Sequence, residues 1–220
     1  MTTTQPSLVS VHPTLRRLIL LGAPLLTLIV LIFHPIGDLT ELLEADQFTD
    51  IDVYAFIAPV AERFILVHVL FAPMIALMGV AVLLLVSRQR GIAASVSRIS
   101  AAVFVVAYIM YETIIGTASG VLVHRSANLP AEEQAVVADM VNGLWNDPIF
   151  GDGALIATIA MLAWALAVTS AAVSLYRSGR PLGPCLALGF SFMFAFHAPP
   201  LGTIGLALFL LAVWRLERVR

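Results

Sequence analysis

The residues that could do chemistry here are histidines and one carboxylate, all set against hydrophobic stretches. His34, His68, His124 and His197 each fall near the same end of a different apolar stretch, while His12 stands alone at the opposite level. Neutral imidazole is a common protein ligand for zinc, copper and haem iron. Histidines supplied at one level by four helices are the arrangement that a metal or haem site in a bundle needs. A pocket lined by these four side chains, with haem or a transition metal as its most specific occupant, is therefore the first expectation. No pair shows a sharp ligand spacing such as His-x-x-x-His, so ordinary interfacial roles compete with it.

Glu112 lies near the middle of the third apolar stretch, with Tyr108 one turn before it, Tyr111 beside it and Gly116 one turn after it. A carboxyl at bilayer depth is costly, which makes it a functional candidate that should face the bundle interior. At 1.5 Å rise per residue, Glu112 should sit roughly 18 Å below His124, and His68 only about 6 Å below the start of its stretch. Metal ligands lie about 2.0–2.2 Å from their ion, so Glu112 is expected outside any ligand shell of the histidines. It is read instead as the end of a polar path with Tyr108 and Tyr111, against the alternative of a carboxyl bonded within the protein. Gly116-Thr117-Ala118-Ser119-Gly120 is a G-x-x-x-G step, a packing signal. Ser119 is thus a packing residue before it is a nucleophile.

Several chemistries are excluded. Lysine is absent, which removes retinal and pyridoxal Schiff bases. The single cysteine, Cys185, permits neither an internal disulfide nor a Cys-x-x-Cys motif. A net charge of −2 gives no footprint for nucleic acid.

The elements that must carry these residues follow from composition. The 220 residues are 60% hydrophobic and 12% charged, with a mean hydropathy of +0.97, too few charges to cover a water-soluble surface. The lipid bilayer is the expected solvent, and the length suits one transmembrane domain, 1–220. The expectation is an all-α polytopic bundle of about six spans, at 15–33, 64–86, 99–123, 154–175, 184–197 and 201–214. The last two form a short hairpin, because Pro199-Pro200 cannot continue a helix. Ten of the twelve arginines then fall on one side and only Arg63 and Arg125 on the other, which makes the arginine-rich side and both termini cytoplasmic. A single kinked final span would move three of those ten across. Alanine, valine and arginine usage suits a bacterial plasma (inner) membrane.

Twelve of the fourteen acids lie in two outer loops, Asp38 to Glu62 and Glu132 to Asp152. Leucines and acids alternate by stripe over Asp38–Glu44. Val136, Val137, Met140, Val141 and Leu144 recur at helical spacing beside Trp145, so each loop should hold a short amphipathic helix on the outer surface. No segment has the pattern of a cleavable signal peptide.

A six-span chain with a long first outer loop resembles a rhomboid intramembrane protease in layout. His68-Val69-Leu70-Phe71 is similar to the histidine segment of that family's second span, and His197 with Gly202 and Gly205 to its histidine-bearing sixth span. The family's catalytic serine opens span four within Gly-x-Ser-Gly, where this sequence has Gly151-Asp152-Gly153-Ala154. The resemblance therefore implies a layout without the protease nucleophile.

Three function classes remain. One is a metal- or haem-binding redox protein using the histidines. Another is a transporter, channel or small-ligand binder with a path to Glu112. The third is an accessory subunit whose outer helices meet a membrane-protein partner or a second copy.

Overall fold

The computed structural model describes residues 12–35, 52–196 and 199–218. His197 and the Asp38–Glu44 stripe lie outside them. The elements are α1 (Pro13–Ile32), α2 (Val53–Ile57) with a 3-10 turn (Ala58–Val60), and α3 (Ala61–Leu85). Next come α4 (Ile92–Tyr111), a π-helical segment (Glu112–Ala118), α5 (Ser119–Ser126) and α6 (Ala131–Trp145). The chain ends with α7 (Leu155–Arg177), α8 (Leu182–Phe190) running into a 3-10 segment (Ser191–Phe196), and α9 (Leu201–Arg218). Among the described residues there is no strand.

Four helical stretches are long and apolar enough to cross a membrane: Pro13–Ile32, Val53–Leu85, Ile92–Ser126 and Leu155–Arg177. Leu182–Phe196 is apolar but shorter, and α9 carries Arg215, Glu217 and Arg218 in its last turn. The helices close into a ring: α1 packs on α3, α3 on α4, α4 on α7, α7 on α8, α8 on α9, and α9 back on α1. The most intimate pair is α4 with α7. Both bury many small residues besides their aromatic ones: Ala94, Ser97 and Ala101 on one, Ala160, Ala163, Ala167 and Ala171 on the other. Small residues let backbones approach where lipid removes the hydrophobic drive for association. The Ser97 hydroxyl uses that proximity, donating to the Ala167 carbonyl at 2.8 Å.

Inside the ring the space is filled by aromatic rings. Trp164 lies 4.7 Å from Phe104, 5.4 Å from Phe194 and 5.7 Å from Phe209, centroid to centroid. Its indole N–H donates to the Ser191 carbonyl at 3.0 Å, so the ring interior holds no unmatched indole donor.

Polar residues at one end fasten the ring. Arg16 at the start of α1 pairs with Glu217 at the end of α9 at 3.0 Å and donates to the Leu84 carbonyl at 3.2 Å. The first and last helices therefore have those ends together. Arg98 donates to the carbonyls of Val86 at 2.8 Å and Gln89 at 2.6 Å, caps that α3 and its exit turn leave open. Those bonds explain why α4 begins at Ile92 rather than at residue 99, where the apolar run starts. Its polar first turns are satisfied by neighbouring backbone.

α9 meets the 3-10 segment at Gly205, where a Cβ would run into the backbone of Phe194 and lie 2.8 Å from Met193 C. At Gly79 on α3 a Cβ would meet the end of the Val105 side chain instead. Backbone cannot rotate away as a side chain can, so Gly205→Ala should destabilise by about 1–3 kcal/mol and Gly79→Ala by less. Thermal unfolding in detergent checks the ranking, and equal midpoints for the two variants would contradict it.

Candidate functional site

The end of the bundle away from the Arg16–Glu217 pair is capped by α2 and α6. The Asp52 carboxylate caps α2, accepting from the Ala55 N–H at 3.1 Å, and accepts from the Asn142 amide at 3.2 Å. The Asn142 side-chain carbonyl in turn accepts from the Tyr54 N–H at 3.3 Å. Val53, Ile57, Ala61, Phe64, Val123 and Val141 bury together beneath this clamp. Trp145, at the end of α6, donates its indole N–H to Ser119 at 3.1 Å. Ser119 is fully buried and holds the cap to α5. The segment around Val136 to Trp145 thus forms the expected helix, with Val141 inward and Val136 and Met140 exposed.

Beneath the cap, α3 crosses the π segment. At Gly116 a Cβ would collide with the imidazole of His68, and at Gly120 it would come within 2.8 Å of Ile65. The G-x-x-x-G step does pack helices closely, and the group it admits is a histidine ring. The π segment opens at Glu112, and such segments commonly mark functional positions because they shift helix register locally. Glu112 is 0% exposed and His68 only 5%.

His68 and Glu112 lie side by side. The His68 Nδ1–H donates to the Phe64 carbonyl at 2.7 Å. A carbonyl can only accept, so Nδ1 carries hydrogen, and Nε2 faces Glu112 Oε2 at 3.7 Å. The expected depth difference between these residues is therefore incorrect. The helical stretch begins at Val53, not at Phe64, so His68 lies deeper below its outer end than the apolar run suggests. A buried pair of this kind is stable either as imidazole with carboxylic acid or as imidazolium with carboxylate. Both forms contain one transferable proton and neither leaves an isolated charge.

The four histidines do not all converge. His34, just past α1, stands with its ring centroid 5.2 Å from that of His68, edge to face, and its Nδ1–H donates to the Pro35 carbonyl at 2.8 Å. His124 is exposed, in a surface pocket with Glu62 and Arg63. Among the described residues no group of three or more His, Cys, Asp or Glu is placed to hold a metal ion. At 5.2 Å the His34 and His68 rings leave no slot between them for a porphyrin.

Of the path residues, Tyr111 donates its hydroxyl to Asp152 at 2.6 Å, linking the residue beside Glu112 to the half-buried turn before α7. Tyr108 stands edge to face with Tyr111 at 6.0 Å and parallel to Phe194 within 11° at 6.3 Å, and so joins the aromatic interior. Asp152 was not singled out as a site residue by sequence reasoning. Its signal, an acid between two glycines opening a span, lies in the segment where a serine would be sought. Gly151 closes this turn so tightly that a Cβ would strike the Trp145 and Asp147 carbonyls. The Asp147 carboxylate accepts from the N–H groups of Phe150 and Ile149 at 2.9 and 2.8 Å, which hold it below the ordinary carboxylate range.

Comparison with protein-family models, with curated proteins and with solved structures gives no match to this chain. The functional reading rests on the side chains above.

Two outcomes follow. Burial, and behind it the charge of Arg63, lowers the His34 imidazole from its usual 6.5, although its bond to Pro35 acts the other way. A histidine kept neutral in the fold is protonated by the unfolded chain first, so stability is lost as pH falls below that usual value. The thermal midpoint should drop between about pH 7 and about pH 5, and His34→Gln should flatten that drop. An equally steep drop in the variant would count against this assignment. Separately, Gly116→Ala should destabilise by about 1–3 kcal/mol, and by clearly less when His68 is already alanine. Additive costs in that cycle would mean the ring and the glycine do not constrain each other.

Proposed function

We propose that the chain is a multi-spanning plasma (inner) membrane protein in which the His68–Glu112 pair exchanges a proton with the outer face, and that this exchange is coupled to movement of a small solute. The observation that carries the reading is a fully buried carboxyl 3.7 Å from a buried imidazole, inside a membrane-length helix. Ionisable groups at such depth mark ion pathways and proton relays. Tyr111 and Asp152 provide the approach from outside. On the other side of the pair, Phe71, Phe104, Tyr108 and Trp164 are fully buried and fill the interior. Access from one face only suits a carrier better than an open channel.

The same reading takes six crossings, the last two a short hairpin. Nine α-helical residues followed by six in 3-10 form reach about 25 Å, and the eighteen of α9 about 27 Å. A hydrocarbon core is about 30 Å thick, so both segments are nearly long enough. The end where Arg16 meets Glu217 is the arginine-rich one and is assigned to the cytoplasm, with both termini.

A metal-dependent reading has one observation in its favour. His34 and His68 both direct Nδ1–H at a backbone carbonyl, the pose that prepares Nε2 for a metal. Haem is disfavoured by the closeness of the two rings.

Infrared difference spectroscopy of the protein in lipid, stepped through pH, should show a protonated-carboxyl band that Glu112→Gln removes. In proteoliposomes, proton uptake under an imposed gradient should fall at least tenfold in that variant. Unchanged uptake in Glu112→Gln would overturn the proton reading. Stoichiometric zinc, copper or iron in the same sample, lost in His68→Ala, would replace it with the metal reading.

A further inference from the structure

The surface pocket that holds His124 has its own chemistry. It is an open depression of about 520 Å³ lined by Ala58, Pro59, Val60, Ala61, Glu62, Arg63 and His124, room for a small organic ion with its water. By sequence, Arg63 is one of only two arginines on the outer side of the six-span arrangement, amid twelve acids. The fold brings it to His124 across 61 positions of sequence, from the start of α3 to the last turn of α5. Neither Arg63 nor Glu62 forms an ion pair among the described residues. Glu62 is the single acid in the lining. Arg63 also lies close enough to His34 for its charge to act on that ring, and His34 touches His68.

We propose that this pocket binds an oxyanion, a small carboxylate, with the Arg63 guanidinium as its bidentate partner and His124 as a second donor, and that this anion is the solute moved with the proton. The proposal rests on the proton-exchange reading for its coupling, and on the pocket alone for its binding. A guanidinium presents a planar fork matched to carboxylate geometry, and that match favours arginine over lysine. One proton carried with one monocarboxylate is electrically neutral. The cargo then crosses the low-dielectric core without a net charge, and its flux does not respond to membrane potential. A phosphate oxyanion of a lipid headgroup shares the chemistry and could reach the same place from the outer leaflet.

The test uses the full chain in phosphatidylcholine nanodiscs, with acetate and inorganic phosphate as probes and chloride as control. Saturable acetate binding by calorimetry, weakened about tenfold by Arg63→Gln and partly kept by Arg63→Lys, is the expected result. Saturable binding of phosphate but not acetate would overturn the carboxylate assignment. Loss of acetate binding when phosphatidylglycerol replaces part of the lipid would assign the oxyanion to a headgroup and overturn the solute role. Absent binding, or equal binding by wild type and Arg63→Gln, would overturn the site itself. Glu112→Gln separates the two ideas. It should bind acetate like wild type while losing proton uptake, and full uptake with intact acetate binding would sink the proton reading and the coupling to it while leaving the binding site standing.

Discussion

Everything at the capped end of the bundle depends on how closely α3 can approach the π segment. Gly116 has no side chain, and the space that leaves is filled by the His68 imidazole. That single steric fact places Nε2 near Glu112, keeps the carboxyl away from lipid, and lets His34 close over the pair. The π segment complements it by altering helix register where Glu112 must turn inward. Gly120 extends the same approach by one turn, so α5 and α3 remain in contact up to the cap.

The rest of the bundle is organised by the cost of polar groups where water is absent. Thr27 and Thr113 return their hydroxyls to carbonyls four residues earlier, at 2.7 Å in each case. Ser97, Arg98 and Trp164 donate to backbone carbonyls on other elements. These bonds tie helices together while satisfying the groups that make them. α1 and α3 tolerate Pro24 and Pro73 within their lengths in the same setting, where neighbouring helices support the interrupted ladder.

Much of this architecture is legible in the sequence, for a simple reason. Long apolar runs bounded by arginines announce membrane-length helices, and four of the expected spans are helices of that kind. The second loop's helix is equally readable from its apolar period. Boundaries fail where polar residues belong to a helix but are satisfied by partners far away in sequence. Ser97 and Arg98 hid the start of α4, and Glu62 and Arg63 hid the start of α3. The outer limit of that stretch matters, since depth counted from Phe64 instead of from Val53 sets His68 too shallow to reach Glu112. Histidine type and rough level were visible, but not which two would meet, because that depends on rotation of each helix about its axis. The π segment leaves no signature in a pattern read at 3.6 residues per turn. Asp152 and the pocket around Arg63 required the loops to be seen in place.

The ring has one further consequence, for how the protein is made. α1 is made before every other described helix, yet one of its two neighbours is α9, the last of them in chain order. Between those moments the face of α1 bearing Leu20 and Ala23 has only α3 to cover it. Final burial of the first helix thus awaits the arrival of Glu217 beside Arg16, and the seam between them is the last to seal. A ribosome stalled before α9 would leave a crescent in the membrane instead of a closed ring.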